Sequence, residues 1–279
     1  MPPRTAPGDS IADITISYRR VVNQQAFNYG SYLELEKILN AQHPRSDPEE
    51  HDEHLFIVIH QVYELWFKQL IHELDYLVEL LSDGFTDRAG VVLSRMLKIL
   101  KTVVAQIDVL ETMTPLDFLS FRSFLEDASG FQSMQFREME FALGYKRKQI
   151  LDDLEGTPRS EALQRRYESP TLWDAFLELL AESGYPVDPR TDVTAPVEPD
   201  PAVQEVLLDM YRNNVKLRRV AENLVDLDEG LQEWRYRHVK MVERTIGRKI
   251  GTGGSEGVAY LQSTLKPFFP DLWEIRSRF

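Results

Sequence analysis

Three side chains and one turn in this sequence have types and settings that could do chemistry: His60, Arg122, His238 and Gly251-Thr252-Gly253-Gly254-Ser255. His238 falls in the series Leu231, Trp234, His238, Met241, Val242, Thr245, whose three- and four-residue spacings place it on the apolar stripe of a helix. Arg235, Arg237, Lys240 and Arg244 are expected on the other side. An imidazole so placed faces the interior, either as a core residue with its ring nitrogens satisfied, which is the commoner use, or as a ligand. Gly247 is placed to stop that helix, and the glycines that follow leave backbone N–H groups exposed ahead of Ser255, which can cap a new helix. Such a turn suits an anionic or zwitterionic ligand. No strand-like run precedes it and no Gly-Lys-Ser/Thr follows, so it is not a nucleotide loop.

His60 shares a stripe with Phe56, Tyr63 and Phe67 on a segment that is apolar around most of its circumference, so it is a second inward imidazole. Arg122 stands among Phe118, Phe121, Phe124 and Leu125, where a guanidinium is costly to bury without an anion. An internal salt bridge and a substrate carboxylate both meet that need. His51 and His54 lie three apart in an acidic turn and read as capping or surface residues, and His72 reads as rim. Neither His60 nor His238 has the His-x-x-x-His or Glu-x-x-His company of zinc and di-iron sites. One axial ligand opposite a second, non-ligating polar residue is the layout of an oxygen-binding haem pocket.

The elements that must position these groups are all helical. Thr114-Pro115-Leu116-Asp117 is a strong helix start, the stretch from about Asp87 to Glu111 carries a heptad-like apolar stripe, and Ser129-Gly130-Phe131-Gln132 turns the chain into a helix through Phe136 and Leu143. A helix begins at Tyr29, and another opens at Asp200-Pro201 and leads to Leu224, with a break near Asp228-Glu229-Gly230 before the helix of His238. Residues from about 145 to 200 are more charged and include the proline-rich run Tyr185–Pro201, so they read as a small helical insertion. No alternating apolar–polar run stands out, and the expectation is an all-α bundle in one domain over residues 29–279, preceded by a partly disordered arm over residues 1–28. The chain has 279 residues, a net charge of −13 and no cysteine. The acidic balance argues against nucleic acid and anionic membranes, and the lack of thiols removes zinc-thiolate, iron–sulfur and thiolate-haem chemistry. Without a spanning apolar run or a signal peptide, a cytoplasmic protein is expected.

Taken in chain order, the segments Phe56–Lys68, Leu110–Pro115, Phe121-Arg122, Ser129–Ser133, Trp234–His238 and Gly251–Ser255 resemble the tryptophan 2,3-dioxygenase family. The resemblance runs from about Tyr29 to the C-terminus and is weakest across residues 145–205. It implies a homotetrameric, all-helical enzyme with one haem b per subunit, set between core helices. It also implies insertion of both atoms of O2 across the C2–C3 bond of the L-tryptophan indole to give N-formyl-L-kynurenine, the first step of tryptophan degradation by the kynurenine pathway. By the same resemblance His238 is the proximal iron ligand, His60 the distal residue that meets the indole N–H, and Arg122 the partner of the substrate carboxylate. Thr252 meets the ammonium and carboxylate, Phe56, Phe118 and Leu125 wall the indole, and Tyr29 and Tyr32 come from a neighbouring subunit. Phe118 stands where some relatives have Tyr, and Glu256 where a small residue is usual. Two other readings are a haem monooxygenase of a tryptophan-like substrate in secondary metabolism and a non-catalytic haem protein. The intact Gly251–Ser255 loop favours the dioxygenase over the first, and Arg122 with Thr252 favours it over the second.

Overall fold

The computed structural model describes residues 28–126, 128–156, 160–247, 249 and 257–279. The disorder expected of the arm falls almost wholly outside these residues. The chain divides into two compact units, Met1–His43 and Pro44–Phe279. In the first, Asn28 caps α1 (Tyr29–Tyr32) through a reciprocal pair with Ser31. Glu34 then adopts a left-handed conformation at φ 50°, so α2 (Leu35–Leu39) is a separate helix where the sequence suggested a continuous one.

The second unit is built on three long helices. α3 (His51–Ser82) and α4 (Thr86–Leu110) form a hairpin whose turn uses Gly84 at φ 73°, a backbone region that glycine enters without Cβ strain. Tyr63 Oη donates to the Val103 carbonyl at 3.2 Å and ties the pair together. Thr114 and Asp117 cap α5 (Pro115–Phe121) reciprocally, as their spacing predicts, and the chain continues through a 3₁₀ turn over Arg122–Leu125. A second 3₁₀ turn, Gly130–Gln132, capped by Ser129, leads into α6 (Met134–Ala142).

The stretch expected as an insertion holds α7 (Lys148–Asp153), α8 (Ser160–Glu168) and α9 (Leu172–Glu182). α9 packs on α3 with Leu172, Trp173, Phe176 and Leu180 fully buried, so it contributes to the main core. The proline-rich segment after it has no regular structure and is stapled down by Lys146, whose ammonium donates to the carbonyls of Tyr167 (2.8 Å), Ser169 (2.5 Å) and Val193 (2.6 Å).

α10 (Pro201–Asn213) starts on the Asp200 cap. The single helix expected on to Leu224 is interrupted at Asn214, whose side chain caps the next helix, and Val215 at its start is 69% exposed. That next helix, α11 (Val215–Ile246), runs through residues 228–230 without the expected break. Asp228 is held inside, where its carboxylate accepts the N–H groups of Phe268, Phe269 and the Trp273 indole. Gly230 lets Leu100 of α4 approach so closely that an added Cβ would sit 3.2 Å from its Cδ1. A polar residue and a glycine that look like punctuation therefore serve tertiary contacts instead. Gly247 ends the helix at φ 63°. After α12 (Gly257–Ser263) and α13 (Pro270–Glu274) the chain closes on a 3₁₀ turn, Ile275–Arg278. Among the described residues there is no strand, and no helix is long and apolar enough to cross a membrane.

Candidate active site

A cavity of about 270 Å³ opens within the second unit, lined by α3, α5, α6, α11 and α12. α3 presents Phe56, His60, Tyr63, Glu64 and Phe67 to it, the face that its three- and four-residue spacing predicts. His60 Nδ1 lies 2.7 Å from the Phe56 carbonyl oxygen. A carbonyl can only accept, so Nδ1 carries the proton and the Nε2 of the neutral ring is left as an acceptor. Burial pushes the His60 pKa down, and the Phe56 bond and the Glu64 carboxylate offset this only in part, so the imidazole is neutral at physiological pH. Its ring packs 4.1 Å from that of Phe56.

His238 lines the same cavity from α11. Trp234, one turn earlier, stacks on it with ring centroids 5.2 Å apart and planes within 6°. Trp234 is in turn fixed by edge contacts with Tyr63 and Phe67 and by Phe136 at 4.9 Å. Neither ring nitrogen of His238 has a hydrogen-bond partner among the described residues. Burial above all, with the nearby charges of His60 and Arg137, pushes its pKa down to about 4. The ring is a neutral nitrogen donor with its orientation set by packing, which is what a metal ligand requires.

A haem fits this donor set. Among the described residues no group of three or more His, Asp or Glu side chains could hold a bare metal ion. A macrocycle already supplies four nitrogens to its iron and would need only one imidazole from the protein, which His238 can provide. A charged wall adjoins the imidazoles. Glu140, only 1% exposed, takes Arg137 at 2.5 Å and Arg147 at 2.8 Å on Oε2 and Arg235 at 2.7 Å on Oε1. Burial pushes the Glu140 carboxyl up, but the three guanidinium groups outweigh burial and hold it below the ordinary carboxylate value. Arg235 was expected on the solvent side of its helix. It is buried, because Glu140 and the Thr264 carbonyl, at 2.7 Å, satisfy it on the inside.

Of the nine residues singled out from the sequence, five line this one cavity: Phe56, His60, Phe118, Arg122 and His238. Phe56, Phe118 and Phe121 form a three-ring cluster with centroids 5.4 to 5.8 Å apart, and half-buried Arg122 follows it. Leu125 packs against the main core but is not part of the cavity lining. Tyr29 and Tyr32 belong to the first unit and are 74% and 66% exposed. Thr252 lies outside the described residues, as does the whole turn Gly251–Ser255. Sequence reasoning passed over Glu64, which Gln135 holds through two hydrogen bonds of 2.8 Å, and over Arg137, Glu140 and Tyr260. The one local signal was Arg137 and Glu140 three apart on the face that also carries Phe136 and Met139.

A profile of the family described as Tryptophan 2,3-dioxygenase matches residues 17–182 and 201–279. The gap is narrower than the weak region expected from the sequence and coincides with the proline-rich segment. The chain is 59% identical over 256 residues to the tryptophan 2,3-dioxygenase of Herpetosiphon aurantiacus, covering 91% of this chain and 98% of that protein. It is 55% identical to that of Anaeromyxobacter sp. (strain K), covering 90% and 96%, and 41% identical to that of Bacillus anthracis, covering 91% and 94%.

Proposed function

Because this chain belongs to the tryptophan 2,3-dioxygenase family, we propose that it cleaves the indole C2–C3 bond of L-tryptophan with O2 to give N-formyl-L-kynurenine, using the cavity between His60 and His238. The observation that carries this reading is the pair of neutral imidazoles on one cavity, one with its Nδ1 committed to backbone and the other with both nitrogens uncommitted among the described residues. His238 would hold haem b through one nitrogen. When bound, the haem would supply ferrous iron that takes up O2.

The protein's part is binding and orientation. His60 Nε2, an acceptor once Nδ1 is committed to Phe56, takes the indole N–H and fixes the orientation of the ring in the cavity. Phe56 and Phe118 give the indole an apolar wall that excludes water. Arg122 receives the α-carboxylate in a charge-assisted pair, and Thr252 adds a contact to the ammonium and carboxylate. His60 acts as an acceptor and need not remove the proton, because an indole N–H is a poor acid.

The family reading also makes the enzyme a homotetramer in the cytoplasm, catalysing the first step of the kynurenine pathway. Tyr29 and Tyr32, both largely exposed on their own chain, would complete a neighbouring subunit's cavity. Deleting residues 1–32 should then abolish turnover while leaving haem bound, and a fully active truncation would contradict it. The reaction itself is tested by mass spectrometry of the product formed from L-tryptophan under isotopically labelled O2. Both oxygen atoms should enter one product molecule; one labelled atom would make the enzyme a monooxygenase.

A further inference from the structure

Tyr260 is a cavity residue whose chemistry the reading above leaves unused. Its hydroxyl accepts a hydrogen bond from Arg147 Nη1 at 2.7 Å, and its ring meets Phe131 edge-on at 5.8 Å. A phenol has a proton to give as well as lone pairs to receive, and among the described residues nothing accepts this one. Accepting from a guanidinium draws charge off the phenol oxygen and makes its O–H a stronger donor. Arg147 is itself immobilised, with Nη2 on Glu140 at 2.8 Å and the Tyr145 ring 4.6 Å from its guanidinium carbon. Arg137, Arg147 and Arg235 share the single charge of Glu140, so this cluster carries more positive than negative charge. A polarised donor beside surplus, largely buried cations is built to meet an anion.

We propose that Tyr260 is a binding residue whose O–H, polarised by Arg147, donates to a carboxylate held in the cavity. Two groups carry that chemistry, the α-carboxylate of the amino-acid substrate and a propionate of the haem. The inference rests on the reading of the cavity as the haem and tryptophan site.

The test uses Tyr260→Phe in the full-length, haem-loaded protein, because this change removes the hydroxyl and keeps the ring against Phe131. Dissociation constants are measured for L-tryptophan and for tryptamine, which lacks the carboxylate, and rates of haem loss are measured for haem b and for its dimethyl ester. If the substrate is the acceptor, L-tryptophan should bind roughly tenfold more weakly, the loss of one charge-assisted hydrogen bond, and tryptamine should be unaffected. If a propionate is the acceptor, haem b should be lost roughly tenfold faster and the ester should not. Unchanged values in all four measurements would overturn the proposal. So would equal losses for the carboxylated and uncarboxylated partners with a lower melting temperature, since that is the signature of a wall residue with no ligand. Wild-type protein that takes up neither haem nor tryptophan would overturn the reading of the cavity itself, a failure visible before any variant is made.

Discussion

The two sides of the cavity are held in opposite ways. One is aromatic: Phe56 and Phe118 with Phe121 packed on them, and Trp234 stacked on His238 with Tyr63, Phe67 and Phe136 packed on Trp234. The other is ionic: Glu140 with Arg137, Arg147 and Arg235. The aromatic side is many small contacts, and it degrades by degrees when one is lost. The ionic side hangs on one carboxylate, and removing it leaves three guanidinium groups without their shared counter-charge. Shape is therefore distributed and robust, while charge is concentrated and fragile.

Glu140→Leu should break the contrast most severely, costing about 3–5 kcal/mol because it strands buried cations, measured by chemical denaturation of the haem-free protein. A loss below ~1 kcal/mol would mean that the wall is wet enough to do without its carboxylate. Arg122→Leu comes next and tests the aromatic side. It should weaken L-tryptophan by about 2–5 kcal/mol, leave tryptamine nearly unaffected and spare the melting temperature. Equal losses for both compounds with a large fall in melting temperature would make Arg122 a structural ion pair.

A smaller effect should appear with pH. His238 titrates at about 4 in the fold against 6.5 unfolded, and His60 is also lowered. Between those values the unfolded chain binds more protons, so stability of the haem-free protein rises with pH there and is lost as pH falls from 6.5 toward 4, by ~2–3 kcal/mol for His238. Glu140 behaves differently: its contribution is fully present above 4.5 and is lost only as pH falls through its lower folded value. A haem-free protein equally stable at pH 4.5 and 7 would contradict the burial of the imidazoles. The smallest change is expected at Arg237, two residues after Arg235 but on the outer face, paired with Asp108 at 2.6 Å. Arg237→Met should cost less than ~1 kcal/mol, and the same change at Arg235 several times more.

The contrast also explains what could be read from the sequence. Periodicity put His60, Phe56 and Phe67 on one stripe and Trp234 and His238 on another, because i to i+4 neighbours are a local property of a helix. The reciprocal cap of Thr114 and Asp117 was equally local. The ionic wall was largely hidden because, beyond the local pair of Arg137 and Glu140, it is completed by residues 95 positions apart, Arg235 and Glu140, and reaches Tyr260 113 positions from Arg147, and no local pattern marks which arginine on a helix turns inward. The same reason accounts for the missed continuity of α11. Asp228 and Gly230 imitate a helix end, and only the distant segment around Phe268 and the passing Leu100 show why they do not form one.

The proposed role of His238 as the iron ligand is tested most directly by haem titration of His238→Ala beside His60→Ala. His238→Ala should purify with little haem and should not regain the wild-type Soret band on titration, while His60→Ala should bind haem fully. Equal occupancy and an unchanged Soret band in His238→Ala would contradict it.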